Sequence, residues 1–133
     1  AYTLQQWAVY KAKNKRFTEA FADIDKAIHM QLQNFSIKNA RAIILFEANK
    51  DRHTESARNS LDEAMQILEE CYESDKRKVY HAQKYAEFAI KIFNEYNNDS
   101  YLDKATEWIH ELIVSEESRS FKTKQLYRKL RDI

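Results

Sequence analysis

Hydrophobic residues along this chain recur at steps of three and four, the spacing that places side chains on one face of an α-helix. In the stretch 16–30, that face carries small and larger residues, namely Phe17, Ala20, Ile24 and Ala27. Two later stretches repeat the spacing, with Ala57, Leu61 and Ala64 in one and Ala105, Ile109 and Leu112 in the other. The small residues predict helices that pack closely against a neighbour.

Seven helices follow from this periodicity and from the polar stretches that interrupt it. They are predicted at about 3–14, 17–33, 36–48, 55–73, 74–96, 100–114 and 118–131. Short connections join successive helices, so neighbours are expected to lie antiparallel as hairpins. The sequence therefore predicts an all-α fold in one domain over residues 1–133, with stacked hairpins at about 3–33, 36–73 and 75–114 and a terminal helix.

Polar residues mark several of the predicted helix boundaries. Asn34 is expected to end the second helix, because asparagine tolerates the left-handed conformation found after many helices. Asn97 is expected to help end the fifth helix. Ser74 and Asp75 are expected to begin the fifth helix, and Ser100 is expected to open the sixth through a capping box.

The same pattern predicts the core. The run 42–46 is apolar at every position, so the third helix is expected to be buried between neighbours. The aromatic residues on predicted inner stripes are Trp7, Phe17, Tyr85, Phe88 and Trp108. The terminal helix is expected to contribute apolar residues at Phe121, Leu126, Tyr127, Leu130 and Ile133. Cys71, the sole cysteine, lies on the inner face of the fourth helix and is expected to be a small core hydrophobe.

Composition narrows the class of protein. The chain of 133 residues contains no glycine and no proline, which disfavours glycine-rich phosphate loops and tight β-hairpin turns. Its residues are 32% charged and 44% hydrophobic, as in a helical domain with a charged surface. The net charge of +1 provides no overall attraction to nucleic acid or anionic membrane. We expect a cytoplasmic protein, and a chain that is a piece of a larger one.

The first hairpin resembles a tetratricopeptide repeat (TPR), a helix-turn-helix unit of about 34 residues. The residues that carry the resemblance are Leu4, Trp7, Ala8, Phe17, Ala20, Ile24 and Ala27. The third hairpin matches through Tyr85, Phe88, Ala89, Ile92, Ala105, Ile109 and Leu112. The middle hairpin departs from the family pattern, since Lys38 and Arg41 stand where large apolar residues belong. The resemblance implies a right-handed TPR-like superhelix.

The resemblance also implies a function. TPR proteins commonly bind a peptide or a partner helix in a concave groove lined by the first helices of their hairpins. The residues expected to face that groove are Gln5, Val9, Lys13, Asn39, Gln83 and Ile90. Ile43 and Ala86 are expected beside them. The expected role is a non-catalytic protein interaction module or scaffold that needs no cofactor.

Other functions rest on smaller features. The basic terminal helix, with Lys122, Lys124, Arg128, Lys129 and Arg131, could contact nucleic acid, and this is the alternative function. Glu107 and His110 have the spacing of a di-iron ligand pair, but no second copy exists, so a surface pair is expected. Cys71 and His81 could serve as nucleophile and base, yet the helical pattern favours a core position for Cys71. No enzyme activity and no metal site are expected.

Overall fold

The computed structural model describes residues 2–30, 34–75, 77–115 and 120–133. Within these ranges the chain forms seven α-helices and no β-strand, as the sequence predicts for an all-α fold. The helices are α1 (Tyr2–Lys13), α2 (Phe17–Met30), α3 (Phe35–Asn49), α4 (Glu55–Ser74), α5 (Lys78–Tyr96), α6 (Leu102–Val114) and α7 (Phe121–Arg131). The predicted extension of the second helix over 31–33 and the predicted start of the last helix at about 118 lie outside the described residues.

The start of α5 differs from the prediction. Ser74 is the last residue of α4, and α5 begins only at Lys78. The Asp75 carboxylate, expected at a helix start, instead accepts hydrogen bonds from Arg77 Nε at 3.1 Å and from His81 Nε2 at 2.7 Å. These contacts hold residue 75 in the connection between the two helices.

Two predicted caps are also wrong. Asn34 is extended, with φ −86° and ψ 111°, and its side chain accepts a hydrogen bond from Ile37 N, so it begins α3 and does not end α2. Ser100 lies one residue before the N-cap of α6, which is Tyr101, and the Ser100 N–H donates to the Asn98 side chain at 2.9 Å. The Thr54 hydroxyl caps α4 by accepting from Ala57 N at 3.0 Å, a cap that was not predicted from the sequence.

Two turns require a left-handed residue, and the sequence offers no glycine for them. Asn97 takes φ 54° and ψ 30° directly after α5, as expected of a residue that ends a helix there. Lys15 takes φ 64° in the turn between α1 and α2. A lysine at positive φ is uncommon, because the Cβ crowds the backbone there.

The chain divides into two compact units, Ala1–Cys71 and Tyr72–Ile133, here called unit 1 and unit 2. In unit 1, α1 and α2 pair as a hairpin, and α3 packs against both. Alanines at the closest contacts share the core with isoleucines: Ala8, Ala12, Ala20, Ile24, Ala27, Ile37, Ala40 and Ile44. The predicted burial of α3 is confirmed, since every residue of 42–46 is buried.

Unit 2 repeats this arrangement with different side chains. The helices α5 and α6 pair, and α7 packs against both. Trp108 of α6 stacks on Tyr72 with ring centroids 3.8 Å apart and lies 4.8 Å from the ring of Tyr85. Tyr101 meets Tyr85 edge to face, so an aromatic cluster fills the space between these elements.

Cys71 lies at the end of unit 1 and is completely buried, as predicted. Its Sγ is 3.9 Å from the backbone oxygen of Phe35 at the start of α3. A second contact joins α3 to α4 in this unit, an ion pair between Arg41 and Glu63 at 2.8 Å. The cysteine is therefore a packed structural residue.

Candidate partner-binding surface

The outer face of α1 carries two large aromatic side chains. Trp7 is 53% exposed and Tyr10 is 56% exposed, and their rings meet edge to face with centroids 5.6 Å apart. The sequence predicts Trp7 as a core residue, and this prediction is wrong. Exposed tryptophan and tyrosine are the residues most enriched among the energetically dominant positions of protein interfaces.

The packing of α1 explains why Trp7 lies outside. The buried line of α1 runs through Ala8 and Ala12, which are four residues apart and both essentially inaccessible. Alanines let α1 approach its neighbours closely, whereas an indole ring at that contact would force them apart. Lys11 fixes the rotation of α1 through an ion pair with Asp23 of α2 at 2.7 Å. The helix is thereby turned so that Trp7 meets solvent.

A broad open depression of about 550 Å³ lies beside these rings and is lined by Gln6, Trp7 and Tyr10. The aromatic faces supply apolar area, and the Gln6 amide can both donate and accept a hydrogen bond. Lys13 is exposed one turn after Tyr10 on the same helix. The surface formed by Gln6, Trp7, Tyr10 and Lys13, here called the aromatic face, combines an apolar centre with a cation at its edge.

The three residues of α1 expected to face a groove are placed differently from one another. Lys13 is exposed, while Gln5 is half-buried. Val9 is half-buried and packs against the core of unit 1. Only Lys13 is therefore presented openly, and the roles of all three in binding remain predictions.

The other predicted groove residues are less accessible. Asn39 is only 4% exposed, because α3 is buried around most of its circumference, and its binding role remains a prediction. Ile43 and Ala86 are buried as well. Gln83 faces α7, where its Nε2 donates to Thr123 Oγ1 at 2.9 Å. Ile90 is half-buried, and its binding role remains a prediction.

Two smaller depressions also occur in unit 1. One, of about 210 Å³, is lined by Ile28, Asn34, Ile37, Lys38, Arg41, Ile67 and Glu70. The other, of about 250 Å³, is lined by Ala12, Lys13, Lys15, Phe17, Glu47, Ala48, Lys50, Asp51 and Arg52. In the second, charges of opposite sign already neutralise each other in part, as in the 2.9 Å pair of Lys50 and Glu47. Neither presents two exposed aromatic rings.

The basic side chains of α7 all lie at the surface of unit 2, as predicted. Lys122 is paired with Glu87 of α5 at 2.6 Å, and Arg131 lies 3.5 Å from Asp132. Phe121, expected among the apolar residues of this helix, is 78% exposed, so its predicted core position is wrong. Leu126 and Leu130 form the buried side of the helix together with Thr123.

His81 is a buried titratable residue of unit 2. Its ring is inaccessible, Nε2 bonds to Asp75, and Nδ1 has no hydrogen-bond partner among the described residues. Burial lowers the pKa of His81 from 6.5, and the Asp75 carboxylate offsets part of that effect. A neutral ring with its proton on Nε2 fits this environment, because a cationic ring would bury an unsatisfied N–H.

The structure gives little support to the metal sites considered from the sequence. Glu107 and His110 are both exposed, and His110 stacks on Tyr127 with centroids 5.9 Å apart. No group of three His, Cys, Asp or Glu side chains with metal-binding geometry occurs among the described residues. Within the same ranges, every helix is too short or too polar to cross a membrane.

Comparison with protein-family models, with curated proteins and with solved structures finds no match to this chain. The aromatic face, not a family assignment, is therefore the basis for a functional proposal.

Proposed function

We propose that this chain is a non-catalytic interaction module that binds a peptide or a helix of a partner protein on the aromatic face of α1. The observation that carries the proposal is the pair Trp7 and Tyr10, both more than half exposed and in contact with each other beside an open depression. Exposed rings of this size lose much of their unfavourable contact with water when a partner covers them.

The partner segment is proposed to carry an apolar anchor and an acidic residue. A leucine or phenylalanine can cover the depression between Gln6 and the two rings. An acidic side chain about one helical turn away can reach Lys13, which is exposed and forms no ion pair with a described residue. An amphipathic helix provides both groups at a spacing of three or four residues.

The finer architecture that we propose is TPR-like. Two observations support it: α3 packs against both α1 and α2, and α7 packs against both α5 and α6. In a stack of helical hairpins, each new first helix contacts both helices of the preceding hairpin. In a TPR-like stack α1 is a first helix, so its exposed side would belong to the groove-lining face.

The experiment is selection of peptides from a display library on the purified chain, followed by titration of the selected peptide. Trp108→Phe makes Trp7 the sole tryptophan, so its fluorescence reports binding at the aromatic face, and the anisotropy of the labelled peptide compares affinities across all variants, including Trp7→Ala. We expect Trp7→Ala to weaken binding by more than tenfold, since hot-spot truncations cost about 2 kcal/mol or more. Lys13→Glu should weaken the binding of peptides that carry an acidic residue.

Met30→Ala is the matched control. Met30 is 59% exposed in the same unit but lies outside the aromatic face, so its loss should leave the peptide affinity unchanged. Equal affinities of the Trp7→Ala variant and the parent chain would show that the aromatic face is not the binding surface. If no selected peptide requires Trp7 for binding, the proposal is wrong.

A further inference from the structure

The exposed side of α7 carries an ordered stripe that the proposed function does not use. Phe121, Lys124, Arg128 and Arg131 follow one another at steps of three, four and three residues, so they lie along one line of the helix. The Cβ atoms of successive members of the stripe are about 5–6 Å apart, as is usual for helical residues at these steps. All four are exposed, with the aromatic ring at one end and three cations after it.

Helix stability alone does not explain this stripe. Cations in the last turn are stabilised by the helix dipole, which accounts for Arg128, Lys129 and Arg131. The first turn has the opposite preference, yet it contains Lys122 and no acidic residue. Lys124 stands just after the first turn, and Phe121 exposes 78% of its surface at the very start of the helix. The ion pair with Glu87 accounts for Lys122, but Lys124 and the exposed ring of Phe121 need another reason.

The neighbouring charges leave part of the stripe available. Lys122, on the other side of the helix, is held by Glu87, and Arg131 has Asp132 beside it. The side chains of Lys124 and Arg128 form no ion pair with any residue that the structure describes. The helix itself is anchored at its start, because Ser120 Oγ accepts from Thr123 N and Thr123 in turn bonds to Gln83 of α5. The stripe is thus presented on a fixed support.

We propose that the stripe of Phe121, Lys124, Arg128 and Arg131 binds single-stranded nucleic acid, a function beyond the partner binding proposed above. A base stacks on the Phe121 ring, and successive phosphates pair with the cations that follow it. Stacking on an aromatic side chain combined with a cationic track is the usual means of binding single strands without sequence preference. A peptide of acidic residues alone can pair with the cations but offers no planar ring to Phe121.

The experiment measures the fluorescence anisotropy of a labelled oligouridine titrated with the whole chain. We expect a dissociation constant of about 10⁻⁵ M at physiological salt. The logarithm of the affinity should fall with the logarithm of salt concentration at a slope of about −2, which is about −0.7 for each of three phosphate contacts. Absence of binding at low salt would overturn the proposal.

Neighbouring residues of the same helix provide the matched variants. Arg128→Ala should weaken binding about fivefold at 0.1 M salt by removing one phosphate contact. Lys129→Ala removes the same charge from the other side of the helix and should change the affinity far less. Equal losses from both substitutions would show diffuse attraction to basic charge, and the stripe assignment would then be wrong.

Phe121→Ala tests the stacking and separates nucleic acid from other anions. It should weaken oligouridine binding about tenfold without changing helix content, because the ring is mostly exposed. Labelled polyglutamate and vesicles with anionic lipid serve as competing ligands, and either one binding as tightly as oligouridine would overturn the proposal. Trp7→Ala should leave oligouridine binding unchanged, so this proposal and the proposed partner binding can fail separately.

Discussion

Unit 1 and unit 2 share one arrangement, a helical hairpin followed by a helix that packs on both of its members, but they place their aromatic side chains differently. In unit 2, Trp108 is 7% exposed and lies between Tyr72 and Tyr85. In unit 1, Trp7 and Tyr10 contact each other at the surface. A tryptophan on a helical stripe can therefore be a core residue or a binding residue, depending on which neighbours cover it.

The difference follows from the residues beside each tryptophan. Trp7 precedes Ala8, and Ala8 with Ala12 forms the inner line of α1. Trp108 also stands on a helix with a buried alanine, Ala105, but the ring of Tyr72 stacks directly on it. Trp7 lies off the buried line of its helix, whereas Trp108 lies on the buried line of α6 and is also covered by a ring from a residue far away in sequence.

The largest expected effect comes from breaking the aromatic cluster of unit 2. Trp108→Ala should lower the free energy of unfolding by about 3–5 kcal/mol, because it leaves a cavity against two tyrosines. Trp7→Ala is the matched variant in unit 1 and should cost about 1 kcal/mol, since more than half of that side chain is already in water. Urea unfolding followed by circular dichroism measures both. Equal costs would mean that the two tryptophans do not differ in burial in solution.

A smaller effect is expected from overpacking the alanine contacts of unit 1. Ala20→Leu and Ala57→Leu each add bulk at a buried position and should cost about 1–3 kcal/mol. Ala22→Leu, on the exposed side of α2, is the control and should change stability by no more than about 0.5 kcal/mol. Thermal melting compares the three variants, and an unchanged midpoint for both buried positions would contradict the close helix packing.

The smallest effect is the pH dependence carried by His81 in unit 2. The folded state lowers the pKa of His81, so the folded protein binds fewer protons than the unfolded chain when the pH falls below about 6.5. The stability contributed by the neutral ring is present above that pH and is lost as the pH falls through the folded pKa.

Urea unfolding at several pH values, with His81→Gln as the comparison, measures this contribution. The stability advantage of the native histidine over glutamine should shrink as the pH decreases from 7.5 toward 5. An advantage that grew on acidification would mean that Asp75 holds the ring as a cation, and the assignment of a neutral His81 would be wrong. NMR titration of the ring provides an independent reading.

The sequence predicts the positions of the helices better than it predicts their ends and caps. Periodicity predicts each of the seven helices found in the described ranges, because the pattern of buried positions is a local property of the chain. The predicted helix boundaries are wrong where one polar residue has two possible roles. Asn34, for example, can end one helix or begin the next. The Thr54 cap was available as a signal, since threonine is favoured immediately before a helix.

The candidate site could be predicted only in part. The spacing predicts an accessible Lys13, but it predicts a core position for Trp7, because a large apolar residue on a stripe is usually buried. The exposure of Trp7 depends on the rotation of α1, which Ala8, Ala12 and the ion pair of Lys11 with Asp23 fix through contacts with other helices. The exposure of Phe121 likewise depends on which face of α7 meets α5 and α6. Such information is absent from local spacing.

Because Cys71 is buried, its reaction with a thiol reagent can report local opening of the contact between α3 and α4 in unit 1. The chain has one thiol, and it is inaccessible in the folded state. A thiol reagent can react only when the contact between the Cys71 region of α4 and Phe35 at the start of α3 separates. When reclosing outpaces the reagent, the labelling rate reports the equilibrium between closed and open forms at that contact, and when labelling outpaces reclosing, it reports the opening rate itself.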